Sequence, residues 1–112
     1  MNKISTPYIE DIIKSISIIE KYLSEIDVNR EAFDGDLQLQ DALIRRLEII
    51  GEATKRLEEE FKNQYPDIPW RKMAGMRDVL IHDYDEVDLD LVWEVVTKDI
   101  LFLQDALINL ER

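Results

Sequence analysis

The sequence contains no cysteine and only one histidine in its 112 residues. Without cysteine, the chain forms neither a disulfide framework nor a thiolate metal site. A single histidine also excludes the paired-histidine motifs that usually bind zinc. We therefore expect no cofactor and no metal, although a magnesium site built from carboxylates alone stays open.

Long apolar runs are absent as well. No stretch approaches the roughly 18 consecutive apolar residues that predict a membrane-spanning helix. The segment from Met1 to Pro7 lacks the apolar core of a signal peptide. We expect a cytoplasmic protein with one domain over residues 1–112, because domains commonly contain about 100 to 150 residues.

Acidic side chains outnumber basic ones by 25 to 14, which gives a net charge of -11. This excess disfavours long-range attraction of nucleic acid. The segment from Ile68 to His82 differs, because Arg71, Lys72 and Arg77 oppose only Asp78 within it. An acidic molecule with one basic segment suits local contact with an RNA strand, or docking to a basic protein partner.

Apolar residues recur at intervals of three and four, the pattern of amphipathic helices. Thr6 and Pro7 predict a cap and first turn, and the first helix is expected to end near Ile26. A second, longer helix is predicted from Gly35–Asp36 to Phe61, because its apolar seam repeats without a break.

The rest of the chain continues this helical pattern. A short third helix is predicted from Trp70 to about Ile81, and a last helix begins at Asp88 and runs nearly to the C-terminus. No strand pattern or internal repeat is present. The sequence therefore predicts an all-α fold, an antiparallel bundle of four to five helices.

Several apolar side chains lie outside the stripes assigned to this core. A second apolar face on a helix usually indicates a partner helix. We therefore expect a homodimer or a tight complex with another chain. The residues concerned are Ile18, Ile44, Ile49, Trp93 and Phe102.

The chemistry of the chain concentrates in the segment from Arg77 to Tyr84. Its histidine can transfer a proton at neutral pH, and a nearby guanidinium can bind a phosphate oxygen. Residues five apart on a regular helix differ by about 140° in direction. Arg77 and His82 therefore converge only if the helix ends or bulges near Ile81, which would place His82 and Tyr84 on a loop.

The segment from Pro69 to Tyr84, with its spacing Arg-x4-His-x-Tyr, resembles the signature of HepT-like proteins. The upstream segment Leu47–Ala53 is similar to the second helix of that family. These are HEPN-domain toxins of toxin–antitoxin systems, paired with a minimal nucleotidyltransferase antitoxin. The resemblance implies an all-helical homodimer that cleaves RNA as a metal-independent endoribonuclease.

The resemblance also implies roles for particular residues. Arg77 and His82 match the catalytic pair, and Asp78 matches a supporting polar position where asparagine is common. Tyr84 matches the tyrosine that the antitoxin nucleotidylates with AMP to silence the toxin. Products ending in a 2',3'-cyclic phosphate would follow from attack by the ribose 2'-hydroxyl.

Other interpretations of the same residues stay open. His82 is also suited to satisfying backbone carbonyls at a helix end, and Arg77 to a weak surface ion pair with Asp78. Tyr84 alone is typical of a packing tyrosine. A second function is then a noncatalytic helical module that holds a nucleotidyltransferase partner or a nucleotide.

Overall fold

The computed structural model describes residues 6–76, 81–83 and 86–108. A π-helical turn, Val95–Asp99, joins α6 (Leu89–Glu94) to α7 (Ile100–Ile108), so these three pieces form one C-terminal helix. The two strands are β1 (Ile81–Asp83) and β2 (Glu86–Val87). The helices are α1 (Thr6–Glu25), α2 (Arg30–Asp34), α3 (Leu37–Lys55), α4 (Glu59–Asn63), α5 (Trp70–Ala74), α6 (Leu89–Glu94) and α7 (Ile100–Ile108).

The centre of the bundle is the pair α1 and α3. Tyr8, near the start of α1, lines the same surface groove as Arg56, at the end of α3, so these helices run antiparallel. The helix α7 packs on α1, and α5 packs on α3. The predicted all-α bundle is thus confirmed, with the hairpin β1–β2 as its addition. The α1–α3 part of the core consists of Ile9, Ile12, Ile16, Ile19, Leu23, Leu43, Leu47 and Ile50.

The end of α1 is a Schellman motif without its usual glycine. The N–H of Val28 donates to the carbonyl of Leu23 at 2.8 Å, and that of Asp27 donates to Ser24 at 3.1 Å. Both Asp27 and Val28 have positive φ, 54° and 52°. For a β-branched residue this left-handed conformation is strained, because Cβ crowds the following carbonyl oxygen.

Replacing Val28 with glycine is expected to raise the free energy of unfolding by about 0.5 to 1 kcal/mol. The left-handed penalty of roughly 1 to 2 kcal/mol disappears, and the greater freedom of glycine in the unfolded chain offsets part of the gain. Val28 is 52% exposed, so little packing is lost. Urea denaturation measures the change; Val28→Ala, which keeps Cβ, should gain clearly less, and equal gains from both would contradict a strained φ.

The predicted second helix is divided. It ends at Lys55, where the N–H groups of Arg56 and Leu57 bond to carbonyls three residues back. The hydroxyl of Thr54 donates to the Ile50 carbonyl at 2.7 Å within the last turns. The prediction of one helix to Phe61 is therefore wrong. Phe61 is buried all the same, because α4 turns it back into the core.

The short helix α2 was not predicted. Asn29 caps it by accepting from the N–H of Ala32 at 2.8 Å. At its other end, the buried Gln40 side chain donates to the carbonyls of Phe33 and Asp34. These side-chain bonds satisfy backbone groups that a five-residue helix cannot satisfy by itself.

Phe33 of α2 is fully buried and contacts Trp93, with 5.1 Å between ring centroids. Trp93 is half-buried, and α2 supplies an aromatic partner for it within the same chain, so part of the apolar surface expected to be surplus is covered. Among the other residues expected there, Ile18, Ile44 and Ile49 are half-buried. Phe102 is 62% exposed.

The C-terminal helix begins as predicted, with Asp88 accepting from the N–H of Leu91 at 3.1 Å. Its π turn places five residues where an α-helix has four, since the N–H of Ile100 donates to the carbonyl of Val95. Consecutive side chains, Val95 and Val96, are both buried there. No helix in the described ranges has the length and apolar character needed to cross a membrane.

Candidate active site

The Arg-x4-His-x-Tyr segment lies between α5 and the C-terminal helix. Arg77, Asp78 and Tyr84 lie outside the described residues, and so does the side chain of His82. The backbone of His82 is the middle of β1, which pairs antiparallel with β2. The prediction of a loop at His82 is therefore wrong, because the following strand β2 pairs with β1.

The position of β1 bears on whether one helix continues from Arg77 through His82, five residues later. A single continuous helix would direct Arg77 and His82 to different faces. Since Ile81 already belongs to β1, no helix runs through His82. The ladder is also irregular, as Ile81 pairs with Val87 while Asp83 pairs with Glu86. Such a bulge bends a strand locally.

The helix before the motif is fixed by Trp70. The indole Nε1–H donates to two carbonyls at the end of α4, that of Lys62 at 3.1 Å and that of Tyr65 at 3.0 Å. Met76, one position before Arg77, is also buried. The chain therefore enters the motif from a well-anchored segment.

In the predicted basic segment, the structure describes the side chains of two basic residues, and one of them forms an ion pair. Arg71 and Lys72 are exposed, but the Lys72 Nζ lies 3.2 Å from a carboxylate oxygen of Asp99. This ion pair ties α5 to the π turn of the C-terminal helix. Asp99 also offsets the charge of Lys72, so the net positive charge beside the motif is lower than the count of basic and acidic residues in the segment predicts.

A second ion pair holds the start of the C-terminal helix. The Arg30 guanidinium bonds to Asp34 at 2.8 Å and to Asp90 at 2.6 Å. The hydrogen bonds with Asp34 and then Asp90 raise the pKa of Arg30, so it stays charged. This contact joins α2 to α6, directly after the hairpin that carries His82.

The described residues contain no group of three or more histidine, aspartate or glutamate side chains placed to hold a metal ion. The acidic run 58–60 stands at the start of α4. Glu59 and Glu60 are exposed, and Glu59 pairs with Lys62 at 2.8 Å. Glu58 is half-buried and is the N-cap residue that precedes α4.

The helical order fits the resemblance noted in the sequence, although that resemblance implied no strands. Comparison with a family model decides the membership. A model described as HepT-like ribonuclease matches residues 12–110. The chain belongs to the HepT-like ribonuclease family. The matched range includes the whole Arg-x4-His-x-Tyr segment and nearly all of the helices of the bundle.

Individual relatives agree with this membership. The chain is 44% identical, over the full length of both proteins, to a protein of Thermococcus cleftensis named "Probable ribonuclease HepT". It is 40% identical over 98 residues to a proposed RNase of Caldanaerobacter subterraneus, covering 88% of this chain and 86% of the relative.

One relative is longer. A protein of Methanocaldococcus jannaschii, named for a gamma-glutamylcyclotransferase and a proposed RNase, is 48% identical over 103 residues. The match covers 92% of this HepT-like chain but 46% of that protein. No solved structure matches the chain.

Proposed function

We propose that this HepT-like chain is the toxin of a toxin–antitoxin system and cleaves RNA as a metal-independent endoribonuclease. The observation that carries the proposal is the end-to-end match to the protein named as a ribonuclease in Thermococcus cleftensis. The position of the chain's only histidine in a strand after α5, rather than on a continuing helix, supports a convergent Arg77–His82 pair.

The proposed reaction is attack by a ribose 2'-hydroxyl on the adjacent phosphorus. The 2'-oxygen–phosphorus bond forms, the phosphorus–5'-oxygen bond breaks, and a 2',3'-cyclic phosphate remains. His82 takes the proton from the 2'-hydroxyl or supplies one to the leaving 5'-oxygen. Arg77 neutralises charge on the phosphorane-like transition state, and Asp78 orients the guanidinium.

Two copies of the chain are proposed to form a homodimer around this site. Leu101 and Ile108 are both exposed on α7. They are seven residues apart, so they lie on one side of that helix and form an apolar edge. Burial of such an edge in an isologous contact is a common basis of homodimers.

Silencing by a nucleotidyltransferase antitoxin is proposed to act at Tyr84. Transfer of AMP to the phenolic oxygen would release pyrophosphate from ATP and leave a bulky anion two residues from His82. The added volume and negative charge would exclude an RNA phosphate from the site. The partner therefore needs no contact with the catalytic pair to stop cleavage.

The experiment is cleavage of a labelled RNA by purified protein with EDTA present, followed by analysis of the new ends. We expect products with a 2',3'-cyclic phosphate. The matched control is the same oligonucleotide with a single 2'-deoxyribose 5' to the cleaved phosphate, which removes the nucleophile. We expect cleavage at that bond to fall below detection.

Two outcomes would contradict the proposal. Cleavage of the 2'-deoxy substrate at the same bond would exclude attack by the 2'-hydroxyl. Absence of any cleavage of ordinary RNA, under conditions where the protein is folded by circular dichroism, would favour the noncatalytic module that holds a nucleotidyltransferase partner or a nucleotide.

A further inference from the structure

A groove beside the motif is lined by α5 and the C-terminal helix. It has a volume of about 360 Å³. Met76, which forms part of its wall, is the residue directly before Arg77. The groove therefore begins one residue along the chain from the proposed catalytic arginine. Its lining residues are Pro69, Lys72, Met76, Lys98, Asp99, Phe102 and Leu103.

The charge of this groove differs from that of the molecule. Two lysines, Lys72 and Lys98, face one carboxylate, Asp99, in a chain whose net charge is -11. Asp99 already pairs with Lys72 at 3.2 Å. Lys98 is exposed and, within the part of the chain that the structure describes, makes no ion pair.

The C-terminal helix also supplies an aromatic face to this groove. Phe102 is 62% exposed, and its ring separates the basic groove from a second groove lined by Tyr65, Asp67 and Ala106. A base can stack on such an exposed ring. The second groove carries a carboxylate, so the phosphate belonging to a stacked base is favoured on the lysine side.

The π turn is what brings these groups together. It extends the helical turn by one residue, which places Lys98 and Asp99 at the groove while Ile100 and Leu103 remain in the core. Unpaired RNA presents bases that can stack on aromatic side chains, each next to a backbone phosphate. The chemistry of the groove therefore matches a single nucleotide better than an apolar peptide.

We propose that this groove is a nucleotide subsite for single-stranded RNA, next to the cleaved phosphate, with Phe102 stacking a base and Lys98 binding its phosphate. The proposal rests on the proposed ribonuclease function and adds the substrate contact to it. Lys72 is positioned by Asp99 and contributes positive charge to the same phosphate.

Binding is measured with a fluorescein-labelled single-stranded RNA that has 2'-O-methyl riboses throughout and so cannot be cleaved. Phe102→Ala should weaken binding by about 5- to 150-fold, the range for loss of one base–aromatic stack. Lys98→Gln should reduce the slope of log affinity against log salt by about 0.7, since one phosphate contact is lost.

The matched control is Lys21→Gln, an exposed lysine on α1 away from the groove, which should leave both affinity and salt slope unchanged. The molecular mass of each variant is measured by sedimentation. We expect the mass of Phe102→Ala to equal that of the wild type. A change in mass would overturn the proposal, because this face would then be an interface between copies of the chain.

The two proposals fail separately. If the wild type cleaves RNA while Phe102→Ala and Lys98→Gln bind like the wild type, the subsite is excluded and the ribonuclease stands. If the wild type binds through these residues without cleaving, the subsite stands and the ribonuclease is excluded. A wild type that neither binds the modified RNA nor cleaves ordinary RNA overturns both.

Discussion

Replacing His82 with alanine is expected to lower the single-turnover rate of RNA cleavage by about 100- to 10,000-fold, the usual contribution of general acid or base catalysis. The reason is that His82 is the only imidazole in the chain. No other side chain in it has an unperturbed pKa near neutrality to take over the proton transfer. The rate is measured with excess enzyme over labelled RNA in EDTA.

A matched pair of arginine variants separates catalysis from general loss of charge. Arg77→Ala should cost a comparable factor, because the charge on the transition state loses its counterion. Arg45→Ala removes an exposed arginine of α3 and should retain the wild-type rate. The Arg45 Nη1 atom lies 3.8 Å from Glu48 Oε2, so only a weak surface ion pair is lost. A wild-type rate in the folded His82→Ala protein would exclude His82 from the reaction.

Replacing Phe33 with alanine is expected to lower the free energy of unfolding by about 3 to 5 kcal/mol, the range for loss of a fully buried phenylalanine. Phe33 is 0% exposed and packs against Trp93. Its removal leaves a cavity beneath α2 and takes away an aromatic contact. Urea denaturation at a fixed protein concentration measures the change.

The control is Leu37→Ala, four residues later along the chain. Leu37 is 70% exposed, so its truncation should change stability by less than about 0.5 kcal/mol. A decrease of less than about 1 kcal/mol in the free energy of unfolding of Phe33→Ala would contradict the packing described for α2. Removing a buried aromatic side chain from a close-packed core lowers stability by more than this.

The long helices could be predicted because their sequences repeat one signal many times. In α1, five isoleucine and leucine residues at helical spacing are all buried, and the helix ends one residue before Ile26. The start of the C-terminal helix carries its own cap, Asp88. Local sequence and tertiary packing agree at these positions, so a sequence pattern suffices.

The elements that were missed depend on contacts between distant residues. The helix α2 has its own cap, Asn29, and one internal ion pair. These local signals do not show the contacts with Gln40 and Trp93 that hold the helix in place. The break after Lys55 leaves the apolar spacing of Leu57 and Phe61 intact, so periodicity does not reveal it. A π turn has the same composition as an α turn and differs only in one additional residue.

The site was predicted from residue chemistry and family resemblance rather than from geometry. The requirement that no helix run through His82 followed from its spacing to Arg77, and the strand β1 meets it. The role proposed for Phe102 does not follow from the sequence pattern. Its exposed ring was assigned to a partner helix, because one helix pattern does not show that Lys98 and Lys72 lie beside it.

The π turn at Val95–Asp99 has a consequence for changes in chain length. Loss of one residue from an ordinary helix rotates everything beyond it by about 100°. Within the π turn, the same loss would leave an ordinary α turn, because five residues already fill the place of four. Ile100, Leu103 and Leu107 would then keep their places in the core. The C-terminal helix thus contains one position where a single-residue deletion preserves the packing on both sides.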